Sequence, residues 1–338
     1  MTDLLEPKPE LVEFLAAAFG LHPCSGGDIR PVARGAMGQI YRLTLGEGDY
    51  AVKHFYWDMD ENAARNEGNF RDAAVAAGVR APANFTTVDG RYLCRLPDSL
   101  GGRMARLYGW VDGDPVDVRR SASALGDLLG RLHSLSLPVT GPVHPWYEVV
   151  PVEEEWAEIV RAALDARLSW ADPLRRRLPV ISELAELVSP VSEEERIICH
   201  LDVQPMNVLS DDHGLLLLDW DDAGAGSAER ELASTLMRWY VAGSMIHGEE
   251  AARMLDAYHA AGGRVSLTGE RSFAMNAATH LNYIAAQARL ILDDQAAAHR
   301  QEAERQLRDA LTHLPTRELY RKLLDVAATT PRRTGGRR

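Results

Sequence analysis

Between residues 200 and 219 the chain reads His200-Leu201-Asp202-Val203-Gln204-Pro205-Met206-Asn207, then Val208-Leu209-Ser210, a polar turn, and Leu215-Leu216-Leu217-Leu218-Asp219. In the turn Asp211-Asp212-His213-Gly214, aspartate offers local hydrogen bonds and glycine a positive φ, so the stretch predicts a β-hairpin. The leucine run predicts a buried strand, and Asp219-Trp220-Asp221-Asp222 crowds three carboxylates at its exit. Crowding or burying carboxylates costs several kcal/mol unless a cation or hydrogen-bond donors compensate. A plain acidic turn would explain Asp211 and Asp212, but not carboxylates gathered where an apolar strand ends.

Those side chains suit phosphoryl transfer. One residue must orient and deprotonate an attacking hydroxyl, and two oxygen ligands must hold magnesium on the nucleotide phosphates. Asp202 is the candidate base, with Asn207 and Asp219 as candidate metal ligands. The spacing H-x-D-x-x-x-x-N is that of the kinase catalytic loop. Each fragment is weak alone; together, followed by an aspartate at a strand end, they are specific.

Upstream, Arg34-Gly35-Ala36-Met37-Gly38-Gln39-Ile40-Tyr41 lies between two candidate strands, 29–33 and 40–45. Gly35 and Gly38 would let backbone amides approach phosphate oxygens, although an ordinary hairpin turn has the same composition. Tyr50-Ala51-Val52-Lys53-His54-Phe55 is a short alternating strand, and Lys53 stands where kinases carry the lysine that meets nucleotide phosphates. The segment 60–77 is helical in pattern, and Glu67, with Glu61 as runner-up, is the expected partner of Lys53. No G-x-x-x-x-G-K-[ST] run occurs, which argues against a P-loop enzyme.

With these residues and Leu125-Gly126-Asp127-Leu128-Leu129-Gly130-Arg131-Leu132-His133, the chain resembles the aminoglycoside phosphotransferase family over roughly residues 25 to 300. That family includes antibiotic, macrolide, choline and homoserine kinases. The resemblance implies an α+β, two-lobed protein-kinase-like fold: an N-lobe antiparallel sheet plus helix, and a mainly helical C-lobe carrying the catalytic β-hairpin. It implies ATP, with GTP not excluded, and Mg2+ as cofactors. Asp202 would orient the acceptor hydroxyl, Asn207 and Asp219 would hold magnesium, and Lys53, steadied by Glu67, would contact phosphates. Backbone near Leu107, Tyr108 and Trp110 would meet the adenine. His200 would be structural, and His133, on an apolar helix face, reads as a satisfied core residue. One departure is Leu201, where the family usually has glycine; a leucine reaches unusual backbone regions less cheaply.

The implied organisation is an extension (1–24) with a helix at 11–19, an ATP-binding N-lobe (25–108), a C-lobe (109–328) with an insert at about 142–195, and a disordered basic tail (329–338). Apolar spacing in threes and fours predicts helices at 152–168, 174–188, 229–241, 249–261, 272–292 and 297–313. Cys24, Cys94 and Cys199 are odd in number and without C-x-x-C spacing, which speaks against a disulfide framework or zinc site. The acidic N-terminus lacks the pattern of a signal peptide, and no apolar run approaches the roughly 20 residues of a membrane span. A cytoplasmic protein is expected.

A net charge of −12 disfavours nucleic acid and anionic membrane and would favour a cationic small-molecule partner. An aminoglycoside or similar cationic antibiotic is therefore the first acceptor expected, with Asp222, Glu229 and Trp156 as candidate contacts. A macrolide or a small metabolite (amino sugar, homoserine, choline-like) comes next. Glu231 looks structural, and Trp146, Tyr147, Trp156 and Trp170 fit core packing as well as ligand stacking. The competing class is a nucleotide-binding pseudokinase with a regulatory role, against which the retained Lys53, Asp202, Asn207 and Asp219 count.

Overall fold

The computed structural model describes residues 5–22, 27–35, 37–46, 48–139, 141–293 and 299–329. In chain order, helix α1 (Pro9–Ala18) precedes strands β1 (Asp28–Arg34), β2 (Gly38–Leu45) and β3 (Gly48–Phe55), then helix α2 (Glu61–Ala76). Strands β4 (Cys94–Arg95), β5 (Met104–Gly109) and β6 (Asp114–Pro115) follow. Helices α3 (Ala122–Ser134), α4 (Glu153–Asp165) and α5 (Ala171–Ala185) lead to β7 (Arg196–Cys199), β8 (Val208–Asp211), β9 (Gly214–Leu217) and β10 (Gly224–Ser227). The chain then runs through α6 (Ala228–Tyr240), α7 (Gly248–Ala260), α8 (Ala274–Leu292), α9 (Arg300–Thr312) and α10 (Arg317–Thr329). No described helix is long and apolar enough to cross a membrane. Cys24 and the basic run 331–338 lie outside the described residues.

Two compact units emerge, one of residues 1–116 with 206–223, the other of 117–205 with 224–338. In the first, five strands form an antiparallel sheet in the order β1-β2-β3-β5-β4. Tyr41, Leu43, Val52, Ala105 and Leu107 bury one face of it against Leu11, Leu15 and Phe19. Helix α2 starts where Asp60 caps it, the side chain accepting the Ala63 N–H at 2.9 Å. The expected runner-up Glu61 has a local task instead, accepting the N–H groups of Tyr92 (2.9 Å) and Leu93 (3.0 Å).

The β8–β9 hairpin groups with this first unit. Arg80 donates to both oxygens of Asp211 (2.5 and 2.6 Å) and to the Gly214 carbonyl (3.0 Å), while the Leu217 N–H reaches the Arg80 carbonyl (2.9 Å). The Arg80 bonds, helped by the His213 N–H, hold the Asp211 carboxyl down at about 2. The residues of a polar turn therefore clamp the hairpin, and β8 also pairs with β6.

The second unit is helical apart from the pairing of β7 with β10 and a two-residue pair near Val241. Its tightest contact is between α3 and α7, and glycine explains it. A Cβ on Gly126 would stand 2.1 Å from the Met254 carbonyl oxygen, and one on Gly130 would stand 2.4 Å from that of Tyr258. The two glycines, one helical turn apart, let the helix backbones meet. Helix α10 begins four residues beyond the end of the last helix that the apolar spacing predicts, and Leu319, Tyr320 and Leu323 bury its inner face. Gly126→Ala should lower the unfolding free energy by about 2 kcal/mol or more through overpacking. Urea denaturation measures this, and an unchanged midpoint would mean that the helices have slack at the crossing.

Candidate active site

Strand β3 places Lys53 in the first unit with only 9% of its side chain exposed. Its ammonium pairs with Asp221 and lies 2.8 Å from Asp219 Oδ1. Burial alone would push the Lys53 pKa down; Asp221 first, then Asp219, more than reverse that and raise it. Asp219 sits in the left-handed region (φ 54°), a conformation its short polar side chain tolerates, and its side chain is 45% exposed. Trp220 anchors the turn: its indole donates to the Leu217 carbonyl (2.9 Å), and its ring meets Phe70 of α2 edge-on at 5.6 Å.

The Lys53 partner differs from expectation. Glu67 is buried on α2, but its carboxylate pairs with Arg71 (2.7 Å) and with Arg106 of β5. Two guanidiniums already share Glu67, and two aspartates already neutralise Lys53, so no Lys53–Glu67 pair forms. Burial raises the Glu67 carboxyl, and Arg71 and Arg106 oppose the rise. Tyr108 lies between the two clusters. Its hydroxyl donates to Asp221 Oδ1 (3.4 Å), and the guanidinium carbons of Arg71 and Arg106 stand 4.7 and 5.1 Å from its ring centroid.

Backbone groups expected at the adenine already have protein partners. The Leu107 carbonyl accepts from Phe85 (3.4 Å), and the Gly109 and Trp110 N–H groups donate to Ala83 (2.9 Å) and Asp49 (3.1 Å). The Leu107 side chain is in the core, and the Trp110 indole donates to Asp112 (2.9 Å) with Arg42 stacked 4.6 Å from its centroid. In the glycine loop, Gly35 donates its N–H to the Gly38 carbonyl (2.9 Å). A Cβ on Gly38 would fall 2.4 Å from the His54 carbonyl oxygen, so strand contact alone demands that glycine.

Asn207 is buried at the start of the hairpin, its carbonyl accepting at 2.8 Å the N–H of Leu218, the residue before Asp219. One amide and a half-exposed carboxylate are the hard oxygen donors that Mg2+ takes. The donor set therefore fits a magnesium ion on nucleotide phosphates.

In the second unit Asp202 has both carboxylate oxygens engaged. Oδ1 accepts from Arg238 of α6, and Oδ2 accepts from Gln204 Nε2 at 2.9 Å. Its own N–H donates to His200 Nδ1 (3.3 Å), so His200, fully buried, shapes the loop. Leu201 is in the left-handed region with φ 68°, the backbone a glycine would adopt freely. Its N–H donates to Glu231, which also accepts from His133 Nε2 at 2.7 Å. His133 Nδ1 meets the Tyr258 hydroxyl at 2.9 Å, so His133 is the satisfied core residue its helix face predicts.

The acceptor candidates fare differently. Glu229 Oε1 takes bonds from the Thr268 N–H (2.9 Å), the Thr268 hydroxyl (2.8 Å) and Ser272 (2.5 Å), holding the turn before α8. Trp156 is 4% exposed in α4, and Trp170 and Tyr147 are buried too. Asp222 is exposed. Sequence reasoning assigned no role to Asp221, Gln204 or Arg238. The first sits inside the D-W-D run and could have been weighed; Arg238 lies 36 residues from Asp202, where no local pattern reaches it.

A model of the phosphotransferase enzyme family, APH, matches residues 28–266. The chain belongs to this family. As such it is a small-molecule kinase, with the antiparallel sheet and helical region of kinase-like phosphotransferases. Among solved structures, the phosphotransferase is similar to a spectinomycin phosphotransferase in complex with ADP and spectinomycin (TM-score 0.66, 13% identity, 97% of this chain and 99% of that one). It is also similar to an amicoumacin kinase with AMP-PNP and Ca2+ (0.56, 15%, 91% and 95%). A choline kinase from Cryptosporidium parvum is a third likeness (0.57, 12%, 96% and 98%). Identities this low speak for the fold. No curated protein matches it by sequence.

Glu67→Ala would leave Arg71 and Arg106 buried without their carboxylate, a change that typically costs about 3–5 kcal/mol. The urea midpoint of this variant should fall far more than that of Glu13→Ala on the exposed face of α1. Equal losses would show that the guanidiniums find other partners.

Proposed function

We propose that this phosphotransferase moves the γ-phosphoryl group of ATP to a hydroxyl of a small molecule, with GTP as a possible substitute donor and Mg2+ as the metal. The observation that carries the reading is Asp202, whose two carboxylate oxygens are both held by neighbouring side chains. A carboxylate fixed in this way is pre-oriented to receive the acceptor's proton while the oxygen attacks phosphorus. Lys53, ion-paired with Asp219 and Asp221, would meet nucleotide phosphates. Asn207 and Asp219 would hold the magnesium ion, which when bound neutralises phosphate charge. Residues 25–108 would then be the ATP-binding lobe and 109–328 the lobe that takes the acceptor, with the insert at about 142–195 shaping its wall. We place the protein in the cytoplasm, where ATP and reduced thiols occur together; Cys94 and Cys199 are both free and buried.

An aminoglycoside-type antibiotic is the acceptor that the likeness to spectinomycin phosphotransferase favours, and with it a role in antibiotic resistance. The side chains expected to greet its amino groups give less support, because Glu229 caps a turn and Trp156 is core. Macrolides, amino sugars, homoserine and choline-like alcohols therefore belong in the same assay. ADP release with ATP and magnesium should rise with one acceptor class, and Asp202→Ala should reduce that rise by roughly 10²–10⁴-fold. Nucleotide binding without turnover for any acceptor would favour the pseudokinase instead, and no nucleotide binding would refute both.

A further inference from the structure

The second unit contains a cavity of about 400 Å³ lined by Arg238, Asn276, His280 and His313 among apolar neighbours such as Leu319. Arg238 connects it to Asp202. We propose that this cavity receives an oxyanion of the acceptor, a carboxylate or a phosphate, so that the preferred substrate is a hydroxyl compound bearing an acidic group. The proposal rests on the kinase reading of Asp202.

Three features point the same way. Arg238 donates Nη1 to Asp202, while its Nε and Nη2 have no protein acceptor among the described residues, and its side chain is 23% exposed. A guanidinium presents its donors as a planar fork suited to carboxylate and phosphate. Asn276 is fully buried; its Oδ1 accepts from the Tyr320 hydroxyl at 3.0 Å, which orients the amide and leaves Nδ2 without a partner.

His280 supplies the third feature. Its Nδ1 lies 3.3 Å from the Asn276 carbonyl, which can only accept, so the proton belongs on Nδ1. Burial first, and the charge of Arg238 next, push its pKa down to about 4. At neutral pH its Nε2 is therefore an acceptor, suited to a ligand hydroxyl. Among the described residues no aspartate or glutamate lines the cavity, and the nearby His313 pairs with Asp309 at 3.1 Å. A polyamine would meet the Arg238 cation there and find no lining carboxylate.

Four probes on one three-carbon backbone separate the alternatives: glycerate, glycerol 3-phosphate, glycerol and 3-amino-1,2-propanediol. Calorimetric titration of the full chain without nucleotide should rank at least one acid ten-fold or more above the amine. The two acids distinguish carboxylate from phosphate. Arg238→Gln should erase that preference, and if this variant does not fold, the wild-type ranking decides alone. Equal binding of all four, or preference for the amine, overturns the proposal, as does a preference that survives in folded Arg238→Gln. Parallel ADP-release assays keep the two readings apart. Turnover of aminoglycosides but of no acid would sink the cavity proposal and leave the kinase. Acid-selective binding without turnover of any acceptor would do the reverse.

Discussion

One buried carboxylate organises the second unit. Glu231, almost entirely removed from solvent at the start of α6, faces His133 of α3 and holds the backbone N–H of Leu201, one residue before the candidate base. Burial would raise its pKa, yet bonds from His133 and Leu201 and the field of His200 lower it. A charge in that position is tolerable only because its partners are fixed. Glu231, His133 and Cys199 bring possible ligand atoms within 4.8 Å of one another, a spacing a metal could use. Both nitrogens of His133 are already matched, by Glu231 and Tyr258, and burial raises the Cys199 thiol well above its ordinary range. The cluster reads as a structural core linking two helices to the loop that carries Asp202.

The first unit solves a similar problem with more charges. Lys53, Asp219 and Asp221 form one group; Glu67, Arg71 and Arg106 form another; Tyr108 touches both. Each group brings opposite charges together, the second one fully buried, and the tyrosine ring supplies a face for the guanidiniums. Asp219 pairs with Lys53 and is also the proposed metal ligand, so both roles would fall on one side chain.

Much of this was legible in the sequence. The H-x-D-x-x-x-x-N spacing, the leucine strand and its terminal aspartate located the hairpin, and the family match covers these motifs. Helix α2 begins beside the predicted boundary because Asp60 is a capping residue, a purely local signal. What stayed hidden was pairing. Nothing local to Glu67 tells that two arginines will take it, since one of them comes from a strand nearly forty residues on. Glu229 was a candidate acceptor contact, and its actual partners, Thr268 and Ser272, are equally remote. Arg80, which ties the hairpin to the N-terminal sheet's unit, carries no motif.

Leu201 illustrates how one unusual backbone angle can entangle distant positions. A left-handed leucine carries a penalty of roughly 1–2 kcal/mol, which its surroundings must offset. Its side chain is buried with Cys199, Ala225 and Met275, and a Cβ on Gly226 would come within 2.7 Å of its Cδ2. Residue 226 can gain a side chain only if the Leu201 side chain shifts and Cys199, whose Cβ and Sγ would stand 3.2 Å away, also gives. A return to glycine at 201 would relax the backbone but empty the space that leucine fills. The size of the residue at 201 therefore helps to set how much room residue 226 has.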